Sequence, residues 1–570
     1  MAHHAIQPIP LIRWRRGALA ATIVALAVAS SWNGVFNDFT YDDRFIVVGN
    51  DALHQLENWW RFFGMPYWPA KLGGDGYRPL TILGFSLEWV AGHGKPWVFH
   101  AVSIALYAAV SAGVFFLAEC WLPLGAAAIA AALFAVHPLH VEAVAGTVGQ
   151  SELTAALCML VALTVYVRGR NAGLLGPGRV AVITALFAFA CLAKEHGIML
   201  PGLLVAAELT VVVDARPLRR RFVELRPLLL LLCAVGLGYL WAHSAVSGEG
   251  LTGFQQYAAF STMRVHSTGR ALTMFGLAPE WLRLFFWPIH LSSEYGPPAY
   301  PVVTGFHIYQ APGMLLIGSI LALGVALRRR SPALSFGIWF TVIALLPTSN
   351  FIVPAGILLA ERTLFLPSVG AMLVAGSMLW TAYRHATRRP MRLGAIAGLQ
   401  AVLVLGAWRS YQRTKVWKDN GTLFDHAVLD APAVYRSHYM RGIWKFDQKQ
   451  MVEGEREMRI AMSLYDADPY VYFELGQQYL NAHEYGAAAT LFRRSLQCDS
   501  MFTIGRGRLA VALADLNQWP EAQRQALIAL SQTNRPSPTI RAVLRLATLE
   551  INRDRAKHRG TTSAIPTPHD

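Results

Sequence analysis

Residues 39–44 read Phe39-Thr-Tyr-Asp-Asp-Arg44 and place two adjacent carboxylates, Asp42 and Asp43, shortly after the first apolar segment, residues 17–32. Three basic residues precede that segment: Arg13, Arg15 and Arg16. Arginines at this position favour insertion with the N-terminus inside, so the two aspartates are predicted to lie on the exported side. The segment is either a membrane anchor or a cleaved signal peptide, since residues 27–30 (Ala-Val-Ala-Ser) resemble a cleavage site.

The composition is that of a polytopic membrane protein. Of the 570 residues, 54% are hydrophobic and 15% are charged, whereas roughly a quarter of the residues of a soluble protein are charged. The formal net charge of +15 would suggest a nucleic-acid partner in a soluble chain. Here most arginines lie in short clusters between apolar runs, which indicates membrane orientation instead. The five cysteines are scattered and predict neither a disulfide framework nor a thiolate metal site.

Ten further apolar runs follow the first one. They lie at about 98–118, 125–143, 150–167, 180–193, 197–213, 227–244, 312–327, 333–349, 363–383 and 392–408. Several are shorter than the roughly 20 residues that a membrane span needs. Together with the first segment they predict an all-α membrane helix bundle of about eleven spans.

The charges of the loops support this topology. Four of the five loops that it places inside carry arginine clusters: Arg168, Arg170 and Arg179; Arg216, Arg219, Arg220, Arg221 and Arg226; Arg328, Arg329 and Arg330; Arg384, Arg388, Arg389 and Arg392. The fifth loop, residues 119–124, is uninformative. Inner loops are enriched in Lys and Arg, and an odd number of spans puts the C-terminal region on the same face as the two aspartates.

The sequence from about residue 420 onward reads as soluble and helical. Three small residues, Gly442, Gly476 and Ala510, recur at intervals of 34 residues, which is the period of the tetratricopeptide repeat. Three such units are about the minimum for an α-solenoid. The predicted domains are therefore a membrane domain over 1–415, a repeat domain over 420–552 and a disordered polar tail over 553–570.

The first exported loop, residues 36–97, is rich in aromatic residues. It contains Trp59-Trp-Arg-Phe-Phe63, Tyr67 and Trp68. Such a segment is suited to the headgroup region of the bilayer, and we expect it to lie there.

Asp42 and Asp43 are the first candidates for chemistry. A carboxylate at the membrane surface can accept the proton of an attacking hydroxyl group, while its neighbour orients that group or binds a metal. The alternative interpretation is ordinary capping of a turn or helix.

A second candidate, His137-Pro-Leu-His-Val-Glu142, lies at the outer end of the third predicted span. Ionisable residues in membrane segments are costly, so His137, His140 and Glu142 are functional candidates. We predict hydrogen bonding to a sugar or phosphate, with packing at the helix end as the alternative. Pro138 breaks the helix that would align the two histidines, so a metal site is not expected.

Two charged pairs complete the set: Lys194-Glu195 and Glu361-Arg362. Lys194 and Arg362 are suited to hold a phosphate, because ammonium and guanidinium groups stabilise the charge on a departing phosphate. The alternative is that the charges only pair with one another. All the candidates are predicted to reach the same face of the membrane, which independent structural caps would have no reason to do.

At these residues the chain resembles the transmembrane and tetratricopeptide-repeat O-mannosyltransferases, which are glycosyltransferases of the GT-C type. The matching pieces are residues 39–43 with Asn50, Arg78-Pro-Leu-Thr81, residues 137–149, Ala193-Lys-Glu-His-Gly197, residues 361–370 and the repeats. The repeats number about three, where animal relatives carry more, and Gln150-Ser-Glu152 stands where an Arg-Ala-Asp-like sequence is common.

The resemblance implies a membrane glycosyltransferase that moves a sugar, mannose in this family, from a polyprenyl-phosphate donor to a hydroxyl acceptor such as protein Ser or Thr. It implies inversion at the sugar and an essential Asp in the first exported loop. Two alternatives stay open: a lipid or polysaccharide acceptor, and a membrane scaffold that recruits protein partners through its repeats. The basic inner loops fit a bacterial inner membrane with the active site on the periplasmic side, and the endoplasmic reticulum is the second choice.

Overall fold

The computed structural model describes residues 9–69, 74–173, 175–247, 267–533 and 537–562. No β-strand occurs in these ranges, so the prediction of an all-α protein is confirmed. The chain forms two compact units. The first contains most of the chain up to Asp430, and the second contains Gly296–Pro301 and the chain from Ala431 onward.

The first unit contains fifteen described α-helices, joined by loops, short 3-10 helices and one π-helical turn at Arg44–Val48. They are α1 Ile9–Ser31, α2 Pro79–Gly92, α3 Pro96–Ala118, α4 Leu124–Ala135, α5 Val141–Ala145, α6 Gln150–Asn171, α7 Pro177–Ala193, α8 Leu200–Leu209, α9 Leu218–Ser247, α10 Ser267–Phe286, α11 Ala311–Arg330, α12 Pro332–Leu345, α13 Phe365–His385, α14 Arg389–Val416 and α15 Asn420–Asp430. Proline occupies the first turn of several of them, where its missing N–H group costs no hydrogen bond.

Among the described residues, seven helices are long and apolar enough to cross a membrane, which confirms an integral membrane protein. An eighth span is possible if α4 and residues 138–145, bent by 49° at the predicted break before Pro138, count as one. Every one of the eleven predicted runs contains a helix, but α7, α8 and α12 are short. A helix of 17 residues such as α7 measures about 25 Å, less than the hydrocarbon thickness of about 30 Å. The count of eleven crossings therefore stays a prediction.

Small residues allow the central helices to pack closely. A Cβ atom on Gly370 of α13 would lie 2.3 Å from the carbonyl oxygen of Gly337 in α12. One on Gly376 would lie 2.6 Å from Ala130 in α4. Glycine at helix crossings is typical of membrane bundles, where backbone contact replaces the hydrophobic effect. α13 is held in this way against two neighbours.

Glu119, in the loop that the sequence left uninformative, pairs with two arginines from distant segments. Its carboxylate contacts Arg16 of α1 and lies 2.6 Å from Arg168 of α6. The start of α1 and the ends of α3 and α6 are therefore at one end of the bundle, as the predicted topology requires.

A larger charged network surrounds Glu208, at the end of α8. Glu208 accepts hydrogen bonds from Tyr166 at 2.6 Å, from Arg170 at 2.6 Å and from Arg221 at 2.8 Å. Asp214 lies 2.9 Å from Arg170 and 2.6 Å from Arg216. We call these residues the Glu208 cluster. The sequence predicted these arginines only as orientation signals, and the structure shows that several of them form buried ion pairs.

The second unit contains three antiparallel helix pairs. They are α16 Tyr435–Asp447 with α17 Met451–Leu464, α18 Pro469–Asn481 with α19 Tyr485–Cys498, and α20 Thr503–Asp515 with α21 Trp519–Ser531. The first helices begin 34 residues apart, and so do the second helices. The predicted small positions lie where helices meet: a Cβ atom on Gly476 would lie 2.9 Å from the Phe492 ring.

A final helix, α22, runs over Pro538–Thr562. It extends into the tail that the sequence predicted as disordered from residue 553. This part of the prediction is corrected as far as Thr562, because α22 continues the chain as helix. The remaining residues, 563–570, lie outside the described ranges.

Candidate active site

The loop that carries Asp42 and Asp43 is held in an unusual backbone conformation. Tyr41 has a φ of 54°, in the left-handed region that a bulky residue seldom adopts. Its N–H group donates to the Asn420 side chain at 2.8 Å, and its hydroxyl group donates to Glu294 at 2.7 Å. The Asp38 N–H group donates to the Lys418 carbonyl oxygen at 2.8 Å. Such strain persists only where surrounding contacts enforce it, and here they fix the direction of the next two side chains.

Asp43 points into the protein and is completely buried. Its carboxylate accepts hydrogen bonds from the backbone N–H groups of Val148 at 2.8 Å, Thr147 at 3.0 Å and Thr40 at 3.3 Å. Burial raises the pKa of the Asp43 carboxyl to about 7, although these three donors favour its ionised form. Asp43 therefore fastens the first loop to the turn after α5 and is not accessible to a substrate.

Asp42 points the other way and is partly exposed. Its carboxylate lies 3.2 Å from the Arg362 guanidinium group, which also lies 3.2 Å from the Glu142 carboxylate. The Arg362 N–H group donates to the second oxygen of Glu142 at 2.9 Å. We call Asp42, Glu142 and Arg362 the Arg362 cluster. It joins three predicted motifs that are far apart in the sequence, and it has two carboxylates for one cation.

Lys194 and Glu195 bind different partners. Lys194 forms an ion pair with Glu152, which also accepts a hydrogen bond from His196 at 2.9 Å. Glu195 accepts two hydrogen bonds from Arg78, at 3.0 and 3.1 Å. Sequence reasoning did not assign Glu152, His196 or Arg78 to the site. Arg78 and His196 stand within the motifs that carry the family resemblance, which was the available signal, whereas Glu152 lies in Gln150-Ser-Glu152, where the chain departs from the family pattern.

The aromatic loop is only partly at the surface. Trp59 and Trp60 are exposed, as expected for a headgroup contact. Tyr67 is buried in the cluster that also contains Phe39 and Ile46, so the prediction that it lies in the headgroup region is corrected. Burial raises the pKa of the Tyr67 phenol, and the charges of Arg78, Asp42, Asp43 and Arg362 also act on it. Tyr67 is thus buried beside the residues that flank the two aspartates in the chain.

The two predicted histidines have partners within the bundle. His137 contacts the carbonyl oxygen of Phe285 at 3.0 Å with one ring nitrogen, and the other accepts a hydrogen bond from the Leu139 N–H group. His140 contacts the Tyr107 hydroxyl group at 3.0 Å and the Ser368 hydroxyl group at 2.8 Å. Both rings are buried. In this structure they hold the broken helix in place, which corresponds to the packing alternative.

Glu361 turns away from its neighbour Arg362. One of its oxygens accepts hydrogen bonds from the Ser292 N–H group at 2.7 Å and the Tyr295 hydroxyl group at 2.8 Å. The same oxygen lies 3.9 Å from Arg413, which pairs with Asp430 at 2.6 Å. The two residues of the predicted Glu361-Arg362 pair therefore have different partners. Arg362 contacts Asp42, while Glu361 holds the loop before α11. In the described parts of the chain, no group of three or more His, Cys, Asp or Glu side chains is arranged to hold a metal ion.

Comparison with known sequences connects this arrangement to named proteins. The human protein O-mannosyl-transferase TMTC3 is 28% identical over 448 residues, covering 71% of this chain and 47% of the relative. Human TMTC4 is 26% identical, covering 74% of this chain and 63% of the relative. Drosophila melanogaster Tmtc2 is 37% identical over a shorter stretch of 150 residues. The chain is a relative of the protein O-mannosyl-transferases.

This relationship confirms the resemblance that the motifs predicted. The chain spans about half the length of the TMTC3 proteins that it matches. No family model matches the sequence. Among solved structures, the archaeal oligosaccharyltransferase AglB from Archaeoglobus fulgidus matches with 12% identity and a TM-score of 0.37, covering 71% of this chain and 56% of AglB. That score is too low to establish a common fold.

Proposed function

We propose that this protein is a GT-C-type membrane glycosyltransferase that moves mannose from a polyprenyl-phosphate donor to a hydroxyl acceptor, with protein Ser or Thr as the preferred acceptor. The kinship with protein O-mannosyl-transferases supports the reaction class. One observation carries the assignment of the site: Asp42, Glu142 and Arg362 converge in one partly exposed cluster. The donor is a substrate, and no cofactor enters the proposal.

Asp42 is the proposed general base. The oxygen of the acceptor hydroxyl group attacks the anomeric carbon of the mannose, its proton passes to Asp42, and the bond from that carbon to the phosphate oxygen breaks. Asp42 suits this role because its side chain is 18% exposed and has an ion-pair partner that a substrate can displace. Asp43 is the positioning residue, since its oxygens are occupied by backbone N–H groups.

Arg362 is the proposed phosphate ligand. Its guanidinium group is 21% exposed and presents several donors in a plane, which matches a phosphate. When the phosphate leaves with its added negative charge, this cation stabilises it. Lys194 is a second candidate ligand for the phosphate. Its charge is already paired with buried Glu152, so we assign it a smaller contribution to phosphate binding than Arg362. Glu195 orients Arg78, and His137, His140 and Glu361 position the helix ends.

The finer features of the protein belong to the same proposal. We propose eleven spans, a periplasmic or luminal active site, and a C-terminal tetratricopeptide solenoid that presents or recruits the acceptor protein. The 34-residue interval between the helix pairs supports the solenoid. Because Arg16, Glu119 and Arg168 mark one end of the bundle, the arginine-rich loops support an inner location for that end.

The first test replaces the proposed base. The full-length protein in nanodiscs is given radiolabelled polyprenyl-phosphate mannose and Ser/Thr peptides. Asp42→Asn is expected to reduce transfer at least a hundredfold, because general-base catalysis contributes roughly 10²–10⁴-fold. The matched control is Asp51→Asn in the same loop, whose side chain is 99% exposed and which should transfer like the wild type.

The outcome also separates the alternatives. Undiminished transfer by Asp42→Asn would refute the assignment of the base. A wild-type protein that transfers nothing, together with a cellular phenotype that depends on the repeats alone, would favour a scaffold. Label that appears only in glycolipid or polysaccharide would keep the enzyme and replace the protein acceptor.

A further inference from the structure

Tyr67 is a buried residue that the proposed mechanism has not used. Its side chain is 1% exposed. Its N–H group donates to the Gly76 carbonyl oxygen at 2.8 Å, and the next residue, Trp68, donates to the Asp75 carbonyl oxygen at the same distance. Gly76 has a φ of 73°, and a Cβ atom there would lie 3.3 Å from the Tyr67 Cβ atom. A tight turn within the same loop therefore fixes the backbone of Tyr67.

The ring of Tyr67 is held as firmly as its backbone. One side packs in the hydrophobic cluster with Phe39 and Ile46, the residues that flank the two aspartates. The Arg78 guanidinium group lies over the ring at 4.4 Å, and Glu195 fixes Arg78 through two hydrogen bonds. The cation and the ring attract each other. The hydroxyl group thus has a defined direction.

The hydroxyl group itself has no hydrogen-bond partner among the described residues, although it is buried. Other buried tyrosines of the membrane unit do have one: Tyr77 with Phe63, Tyr107 with Phe134, Tyr166 with Glu208, Tyr239 with Tyr77, and Tyr295 with Glu361. A buried hydroxyl group without a partner destabilises a fold. Such a cost is typical of a group kept for a function that this state does not display.

The surroundings of Tyr67 indicate which function. Tyr67 packs in the same cluster as Phe39 and Ile46, which flank Asp42 and Asp43 in the chain, and Arg78 lies over its ring. The charges of Asp42 and Arg362 also act on its phenol. Among the described residues, the Asp42 carboxylate has a single ion-pair partner, which is Arg362. Glu142, in contrast, also accepts a hydrogen bond from the Arg362 backbone. If a phosphate takes the Arg362 side chain, Glu142 keeps one donor and Asp42 loses its partner.

We propose that Tyr67 is a positioning residue whose hydroxyl group donates a hydrogen bond to Asp42 when the donor phosphate draws Arg362 away. This inference rests on the proposed function. The phenol replaces the guanidinium group as the partner of the carboxylate, so that Asp42 stays directed at the acceptor hydroxyl group.

The test is Tyr67→Phe, which removes only the hydroxyl group and keeps the ring beneath Arg78. In nanodiscs with polyprenyl-phosphate mannose, kcat is expected to fall tenfold to a hundredfold, on the order of the loss of one fixed donor. KM for the donor should stay within about twofold, because Arg362 still holds the phosphate.

Stability separates this role from a structural one. Tyr67→Phe should melt at the same temperature as the wild type or higher, because it removes an unsatisfied buried group. The matched control is Tyr77→Phe in the same loop, which deletes a satisfied hydrogen bond to Phe63. It should melt lower and keep its kcat.

Two results would overturn the role of Tyr67. One is a wild-type kcat in Tyr67→Phe. The other is a loss of kcat together with a lower melting temperature, which is the result expected if the hydroxyl group only stabilised the fold. The role of Asp42 is judged separately. If Asp42→Asn is inactive while Tyr67→Phe is normal, only this inference fails. If Asp42→Asn is fully active, the proposed function fails with it.

Discussion

The Glu208 cluster and the Arg362 cluster are both built from arginines and carboxylates, but they differ in how completely their charges are matched. In the Glu208 cluster, Arg170, Arg216 and Arg221 face Glu208, Asp214 and Glu224, and Glu208 itself is completely buried with four donors around it. The side chains at its centre, Arg170, Glu208 and Arg221, are buried, so a ligand in solution cannot reach them.

The Arg362 cluster is short of positive charge and is open. One guanidinium group serves two carboxylates, and the Asp42 and Arg362 side chains are 18% and 21% exposed. Because the Asp42 and Arg362 side chains are partly exposed, a ligand can reach this pair and compete with Asp42 for Arg362. The difference teaches that an ion pair in a membrane protein is a candidate site when a ligand can reach it. Burial and charge alone would have selected Glu208.

The strongest way to test this comparison is to break the saturated network. Glu208→Ala removes the carboxylate that three donor residues share and leaves Arg170 and Arg221 buried with fewer partners. Breaking such a pair costs about 3–5 kcal/mol, so we expect little folded protein. Yield and monodispersity on size-exclusion chromatography in detergent measure this. A normally folded Glu208→Ala protein would show that the network is dispensable.

The next test concerns the open cluster. Arg362→Lys keeps the charge but loses the planar set of donors, so we expect transfer to fall about a hundredfold at an unchanged melting temperature. Arg168→Lys is the matched control, because Arg168 pairs with Glu119 at the other end of the bundle and its side chain is 47% exposed. Equal activities of the two variants would argue against a phosphate at Arg362.

Asp43 provides a comparison within two adjacent residues. Asp43→Ala leaves three backbone N–H groups without their acceptor, and we expect the free energy of unfolding to fall by about 3 kcal/mol. Asp42→Asn should leave the melting temperature nearly unchanged, because Asp42 lies at the edge of the fold. The assignment of base and anchor would be reversed if Asp42→Asn lowered the melting temperature and Asp43→Ala did not.

The smallest effect is expected at the rim of the saturated network. Arg216 contacts Asp214 and Glu224, and its side chain is 33% exposed. Arg216→Gln should lower the melting temperature only slightly, since solvent screens exposed ion pairs. Thermal unfolding beside the wild type checks this. A loss as large as that of Glu208→Ala would mean that the network acts as one unit without a dispensable rim.

Much of the architecture follows from the sequence. Every predicted apolar run contains a helix, because about 20 apolar residues have few other stable states in a bilayer. The loop charges predicted that the charged motifs share one face of the membrane, and in the structure Asp42, Glu142 and Arg362 lie together. The 34-residue interval reappears in the helix pairs, because small residues at that spacing mark where helices touch.

Side-chain direction could not be read from the sequence. Asp42 and Asp43 are chemically equal neighbours, and only the left-handed turn at Tyr41 and the N–H groups after α5 separate an exposed carboxylate from a buried one. Likewise, the neighbours Glu361 and Arg362 point to different partners. Tyr67 is buried, although the aromatic composition of its loop predicted a position at the membrane surface.

The sequence by itself therefore determined that this protein is an all-helical membrane protein and which family it resembles, and it predicted which motifs share one face. Apolar length, arginine distribution and repeat period are properties of the chain that need no long-range contact. Only the tertiary structure decided which carboxylate is available, which cation it faces and which buried hydroxyl group has no partner among the described residues. The contacts that hold Asp43 and Arg362 join residues more than a hundred positions apart, whose pairing is set by packing and not by local pattern.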